Sequence, residues 1–287
     1  LYPSFRLKRK YGIPIKTAEI DDVPGLTWGL ATVLAESGIK YFAPRLPGWS
    51  EVKPLGEGPK TYYWLGPDGS KVLFWHAERT WMVQDYDSTY ELLPKSLAAF
   101  QEKAYPFDAV SFVVQGGHRD NAPPTVKYSY VAREWNSKWA YPRMIIATNA
   151  DFFEYLGKKC KGETKIIRGE LTDTDNGVGP TSTAFHTAVN RVAHDSLLSA
   201  EKFCTVAATI TDYPYPYKYL NEAYDHTLLY DEHTWGMSGC SGTAQYEHCG
   251  EKGLHALKAS ALAQDALSKS LNKIVDQINL PKEGYHI

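Results

Sequence analysis

Apolar residues in the first half of the chain follow two alternating spacings. Residues 12–20 form a run typical of a buried strand, and residues 28–37 repeat apolar positions at the spacing of a helix that stops at Gly38. The same reasoning predicts further strands at 39–42, 109–115, 144–148 and 165–171, and further helices at 92–102, 126–136 and 150–156. Strands that alternate with helices in this way favour parallel β/α units.

A β-hairpin interrupts this alternation. Residues 61–65 and 71–75 are rich in aromatic and branched side chains, and the sequence Gly66-Pro67-Asp68-Gly69 separates them. An Asp-Gly pair supplies the positive backbone φ that a tight turn requires. The pattern therefore predicts two adjacent antiparallel strands here.

The second half of the chain has a different pattern. Apolar positions recur at helical spacing over 182–208, 217–230 and 254–278, and no strand pattern separates them. We therefore expect an α/β fold with two domains: a partial β/α barrel with parallel strands over 1–178, followed by a three-helix bundle over 179–287.

Composition and charge restrict the possible binding partners more than they restrict the possible folds. The chain has 43% hydrophobic and 22% charged residues with a formal net charge of −2, which is ordinary for a globular protein. The basic residues are scattered, so we expect no nucleic-acid partner. No apolar run reaches the roughly 18 residues of a membrane helix, so we expect no membrane span. The 20 Tyr, 8 Trp and 10 Phe residues suit either sugar binding or an aromatic core.

Two acidic positions stand where β/α folds place catalytic groups. The pair Asp21-Asp22 ends the first predicted strand just before a helix, although an Asp there can also cap that helix. The loop after residue 115 contains His118, Arg119 and Asp120, and a purely structural turn is the alternative.

A third candidate lies in the helical half. His233 follows the helix predicted at 217–230, and its neutral imidazole would suit zinc. A histidine considered by itself is more often a satisfied core or surface residue.

Several stretches resemble glycoside hydrolase family 38, the α-mannosidases, and especially its divergent microbial members. The similar stretches occur in the family's order: 22–41, with Asp-Val-Pro-Gly-Leu-Thr at its start; 63–73, with Gly-Pro-Asp-Gly-Ser; 135–136 and 142–153; 169–171, 181–182, 190–191 and 200–201; and 232–236, Glu-His-Thr-Trp-Gly. The resemblance covers nearly the whole chain, and its specificity comes from this order.

The resemblance implies a zinc-assisted retaining glycosidase. Asp22 would be the nucleophile and a zinc ligand, with Asp21 as the fallback nucleophile, and His233 would be a second zinc ligand. Asp120 would be the general acid and then the general base, about 5–5.5 Å from the nucleophile. Zinc would hold the hydroxyls of the sugar and help distort its ring. We expect the substrate to contact Trp28, Trp64, Arg119 and Trp235.

One family feature does not match. The family's first strand ends in a His-x-Asp pair that supplies two more zinc ligands, and the only such pattern here is His118-Arg119-Asp120 in another loop. Two ligands in place of four would bind zinc poorly. We therefore expect one of two cases. In the first, the missing N-terminal segment or further β domains of a longer polypeptide are partners of this chain. In the second, the chain has lost the metal. Glu170 and Asp173 are the next candidates for the general acid if Asp120 does not open onto the same cleft as Asp22.

Two other functions fit parts of the pattern. Carbohydrate deacetylases also use an Asp-Asp turn after a strand, but they supply two closely spaced histidines, and no His-x-x-x-His occurs here. A non-catalytic carbohydrate-binding or scaffold protein on a degraded hydrolase fold would keep the aromatic residues without a full metal site.

Overall fold

The computed structural model of the chain describes residues 1–21, 25–45, 60–76, 85–114, 122–160, 164–171, 183–232 and 242–279. These residues contain eight helices and five strands: α1 (Tyr2–Tyr11), β1 (Thr17–Asp21), α2 (Gly29–Glu36), β2 (Tyr41–Arg45), β3 (Lys60–Leu65), β4 (Lys71–His76), α3 (Tyr86–Glu102), α4 (Lys127–Lys138), α5 (Asn149–Lys159), β5 (Ile166–Arg168), α6 (Ala184–Ile210), α7 (Tyr217–Tyr230) and α8 (Thr243–Val275).

The chain divides into two compact units, Leu1–Thr174 and Asp175–Ile287. The boundary predicted near residue 178 lies outside the described residues. Within the described residues, no helix combines the length and the apolar character that crossing a membrane requires.

The described part of the first unit contains a five-stranded sheet with the order β1-β2-β4-β3-β5. The pairs β1–β2, β2–β4 and β3–β5 are parallel, and only the hairpin β3–β4 is antiparallel. The mixed α/β class and the hairpin are therefore as predicted. Because β3 reverses direction, β5 runs opposite to β1, β2 and β4.

Helices cover both faces of this sheet. On one face, α2 contributes Ala31 and Leu34 to a core that also contains Phe42, Tyr62, Trp64, Val72, Phe74 and Ile167 from the strands. On the other face, α5 contributes Phe153 and Leu156 to a core with Ala43, Leu73 and Trp75. Consecutive residues of β4 thus point alternately into two cores, which explains why the strand is apolar throughout.

Three predicted strands differ from the structure. The run at 12–20 begins as a strand only at Thr17, because Gly12 ends helix α1 with φ 66° and donates its N–H to the carbonyl of Lys8 at 2.9 Å. Residues 109–114 do not belong to any of the five strands. At 144–148, Ile145 and Ile146 are exposed and Thr148 caps helix α5, so these apolar residues do not form a buried strand.

The second unit, as far as it is described, is helical. Helices α6, α7 and α8 share one buried cluster of mainly small side chains: Leu197, Ala200, Cys204, Leu220, Ala223, Ala263 and Ala266. On α6 the buried positions recur every three or four residues, from Ala193 to Ala207. Alanine at these contacts lets the helix axes approach closely.

Candidate active site

The predicted nucleophile follows the carboxyl end of β1. Strands β1, β2 and β4 run parallel, so their carboxyl ends lie at one edge of the sheet. Asp21, the last residue of β1, is in register with Arg45, the last residue of β2. Asp22 comes next and itself lies outside the described residues. The strand that leads to it ends at the edge where β/α folds place their catalytic groups.

Strand β4 brings a further polar residue to this edge. It ends with His76, which is half-buried and follows the buried run from Val72 to Trp75. His76 was not among the predicted site residues, because its place in the sequence shows only that it follows the second strand of a hairpin. The parallel pairing of β4 with β2 is what assigns its last residue to the same edge as Asp21.

The segment after Asp22 is tied back to the sheet. Leu26 and Leu171 exchange two backbone hydrogen bonds, 2.8 and 3.0 Å long, in an antiparallel bridge. Both side chains are buried in the core on the α2 face. The chain at Leu26, four residues after Asp22, is therefore fixed to the segment that follows β5. Glu170, one of the two reserve acids, is exposed beside this bridge, and Asp173 lies outside the described residues.

The Gly-Pro-Asp-Gly-Ser segment has a structural role in the described fold. The Asp68 carboxylate accepts hydrogen bonds from the hydroxyls of Ser70 and Thr32, each 2.6 Å long, and this ties the hairpin turn to helix α2. The bonds from Ser70 and then Thr32 hold the pKa of Asp68 below its ordinary value. A Cβ at Gly66 would collide with the Thr32 hydroxyl, so this close approach requires glycine.

Trp64 requires a correction. It was predicted to contact the substrate, but its side chain is 0% exposed. Its ring packs against Phe42 and Phe74, with centroids 6.0 and 6.2 Å away, and its indole N–H donates to the Gly169 carbonyl at 3.0 Å. No ring face is open to a ligand, so Trp64 is a core residue. Its place at an inward position of β3, which a strand pattern cannot separate from a ligand-facing position, explains the error.

Trp28 is only partly buried. It packs on the same core, and its indole N–H donates to the Leu65 carbonyl at 2.7 Å, which fixes the start of helix α2 against β3. Because that N–H is used inside the fold, only the ring surface remains to contact a sugar. Its role in substrate binding stays a prediction.

The remaining predicted site residues are not in the described part of the chain. These are Asp22, Arg119, Asp120, His233 and Trp235. Their predicted roles therefore stay predictions.

The residues directly before His233 are described, and other helices hold them firmly. Asp231 accepts hydrogen bonds from Asn190 at 2.7 Å and from the His194 ring at 2.9 Å, both on α6. Glu232 pairs with Lys252 of α8 through an N–O contact of 2.6 Å, and Lys252 also donates to the Glu232 carbonyl at 2.8 Å. The carboxyl end of α7 is thus fixed from two sides just before the predicted ligand.

Replacing Lys252 by Met should lower the free energy of unfolding by about 1.5–3 kcal/mol, the usual value of charged hydrogen bonds. The ammonium group is largely buried, with a side-chain exposure of 10%, so its bonds are poorly replaced by water. Urea unfolding followed by circular dichroism measures the change.

Lys269→Met on the same helix is the matched control. Lys269 pairs with Asp265 at 2.7 Å, but its side chain is 64% exposed, so we expect a loss below about 0.5 kcal/mol. Equal losses for the two variants would show that the Lys252 contacts do not anchor the end of α7.

Within the ranges given above, no three or more His, Cys, Asp or Glu residues form a group able to hold a metal ion. The predicted ligands Asp22 and His233 both lie outside those ranges.

Comparison with known proteins assigns the class. The family model described as "Glycosyl hydrolases family 38 N-terminal domain" matches residues 5–170, which is more than half of the chain. The chain therefore belongs to glycosyl hydrolase family 38.

A solved structure supports the fold. The crystal structure of an alpha-mannosidase from Enterococcus faecalis V583 matches with a TM-score of 0.70 and 14% sequence identity. The match covers 94% of this chain and 31% of that one, so the chain spans about a third of the length of this relative. No curated protein matches this chain in a sequence search.

Proposed function

We propose that this chain is part of the catalytic region of a retaining, zinc-dependent glycoside hydrolase that cleaves α-mannoside-like bonds. The observation that carries the proposal is the match of residues 5–170 to the family 38 N-terminal domain. The name of the Enterococcus relative, an alpha-mannosidase, supports the choice of substrate class.

The proposed reaction uses two carboxyl groups. The Asp22 carboxylate attacks the anomeric carbon and forms a glycosyl ester while the bond to the leaving oxygen breaks. Asp120 donates its proton to that oxygen. Asp120 then accepts a proton from water, which attacks the anomeric carbon and releases Asp22. Two inversions at that carbon give net retention.

Asp22 and His233 are the residues proposed to hold zinc. Carboxylate and imidazole are both ordinary zinc ligands, so the donor types fit, but a stable site needs more than two. We propose that a further segment of a longer polypeptide supplies the others. When bound, zinc would act as a Lewis acid that grips the sugar hydroxyls.

The architecture we propose around this chemistry is a β/α barrel that includes residues 1–178 and a three-helix bundle over 179–287. For the substrate contacts we retain the ring surface of Trp28 together with Arg119 and Trp235. Trp64 is not retained, because it is buried in the core.

A metal-depletion experiment on the full-length protein tests this function. We expect about one zinc per chain, loss of turnover on an aryl α-mannoside after chelation, and recovery when zinc is added back. Magnesium added back in parallel is the control, and it should restore nothing.

Two outcomes would contradict the proposal. Sugar binding that persists without metal, with no turnover under any condition, would identify a non-catalytic binder. Release of acetate from an N-acetylated saccharide, with its glycosidic bonds intact, would identify a deacetylase.

A further inference from the structure

Helices α7 and α8 are joined by a hydrogen bond between two imidazole rings. His226 of α7 and His255 of α8 approach with their Nδ1 atoms 2.9 Å apart. The ring centroids are 5.1 Å apart, and the ring planes make an angle of 43°. One Nδ1 carries the proton of this bond, and the other accepts it with its lone pair. The bond therefore exists only while one of the two Nδ1 atoms is unprotonated.

The pair can take up one proton and keep this bond. When His226 is the donor, a further proton on its Nε2 leaves the Nδ1–H in place, and this group still donates to a neutral His255. The added charge then lies beside Glu222, whose Oε1 is 4.0 Å from the His226 Nε2. A charged donor also makes a stronger hydrogen bond than a neutral one. The first proton is therefore expected on His226, with the two helices still joined.

A second proton removes the bond. It must go to the Nδ1 of His255, because that atom holds the accepting lone pair, and two positively charged rings would then face each other. Burial lowers the pKa of His255, and the neighbouring His226 and Lys258 lower it further. His255 thus resists this proton while the two rings are in contact, and it resists less when the helices separate and water reaches its ring.

The charges around the two rings do not cancel this resistance. Four charged side chains act on the pair: Glu222 from α7, and Glu251, Lys252 and Lys258 from α8. Glu251 favours the charged form of His255, but both lysines oppose it. From α6, His194 and Glu201 also reach α7, where they bond to Asp231 and Tyr224.

We propose that the His226–His255 hydrogen bond is an acid-sensitive contact, which holds α7 on α8 at neutral pH and releases it in acid. Because the closed contact binds fewer protons than the open one, its stability rises with pH. This stability is lost as the pH falls below about 6.5, the ordinary pKa of a histidine in water. The contact needs neither metal nor sugar, so it goes beyond the proposed function and does not depend on it.

The release should be local. His226 lies about one turn before α7 ends at Tyr230. The bonds of Asp231 to α6 and of Glu232 to α8 do not require a neutral histidine, so acid does not remove them. We therefore expect acid to loosen the turn of α7 that contains His226 while the three helices stay assembled.

The first test is a pH titration of the metal-free full chain, with the ring nitrogens of its histidines followed by nuclear magnetic resonance. At pH 7.5 we expect one protonated and one unprotonated Nδ1, joined by a scalar coupling across the hydrogen bond. His255 should take up its second proton at a lower pH than His248, an exposed histidine also on α8, and the coupling should vanish with it. Two rings that titrate like His248 and show no coupling would overturn the proposal.

The second test is hydrogen exchange at the amides of the α7 turn around His226, at pH 7.5 and pH 5.5, corrected for the intrinsic rates. Protection in the unaltered chain should fall by about two- to tenfold in acid, the factor for the loss of one hydrogen bond. His255→Gln should remove this fall, because its amide can still bond to His226 and carries no charge at either pH. His248→Gln should behave like the unaltered chain.

Protection that does not fall in the unaltered chain, or that falls equally in His255→Gln, would overturn the proposal. Circular dichroism shows whether each variant keeps its helices. Where His255→Gln fails to fold, His226→Gln provides the same comparison, and the ring-nitrogen titration of the unaltered chain needs no variant. Asp22→Asn separates this contact from the proposed function, because it should abolish turnover and leave the acid response intact.

Discussion

Replacing Asp22 by Asn should lower the turnover of the full-length enzyme on an aryl α-mannoside by about 10⁴-fold or more, the scale of losses when a catalytic nucleophile is removed. The amide of Asn has no anionic oxygen to form the glycosyl ester, and it is also a poorer zinc ligand. Steady-state kinetics with matched zinc content measures the loss.

Asp21→Asn is the matched control for this experiment, because the two residues are adjacent. Asp21 is the last residue of β1, in register with Arg45, and only the next position is the proposed nucleophile. We expect Asp21→Asn to keep turnover within about tenfold of the unaltered enzyme. The reverse pattern, with Asp21 essential and Asp22 dispensable, would move the nucleophile by one residue.

Replacing Trp64 by Ala should lower the free energy of unfolding by about 3–5 kcal/mol. The side chain is 0% exposed, and its loss would leave a cavity among Phe42, Phe74 and the other residues of that core. It would also leave the Gly169 carbonyl without the indole donor. Urea unfolding followed by near-ultraviolet circular dichroism measures the effect.

Tyr141→Ala is the control, since this aromatic side chain is 80% exposed and should contribute less than about 0.5 kcal/mol. Trp64→Phe should be milder than Trp64→Ala, because an aromatic ring remains in the core. A Trp64→Ala variant that folds normally but binds sugar poorly would return this residue to the substrate site.

Several elements could be predicted because a local pattern determines them. The β3–β4 hairpin follows from the Asp68-Gly69 turn, and α7 from regular apolar spacing that gave its limits, Tyr217–Tyr230, correctly. The family could also be recognised from the sequence, because the segments that resemble family 38 keep the family's order along the chain.

Other features depend on contacts that the pattern does not contain. The run at 144–148 looks like a strand, but Asn136 of α4 bonds both the N–H and the carbonyl of Met144, at 2.9 and 2.8 Å, and Thr148 caps the next helix. Helix α1 was missed because five of its ten residues are Ser, Lys or Arg and none of the ten is buried in the core.

In the candidate site, too, some features follow from the local sequence and others depend on contacts between distant residues. The position of Asp22 after a strand was clear from the order of residues. The assignment of His76 to the same edge required the parallel pairing of β4 with β2, which joins residues about 30 positions apart. The burial of Trp64 likewise depends on which face of the sheet α2 covers.

The most direct test of the proposed function is to trap the covalent glycosyl ester between the sugar and the enzyme. The full-length enzyme is incubated with an activated fluoro-mannoside whose glycosyl ester hydrolyses slowly, digested with protease and sequenced by mass spectrometry. We predict one added hexose-derived mass per chain, located on Asp22. A label on a different carboxylate, or the absence of any label from an enzyme that is turning over the substrate, would contradict the account.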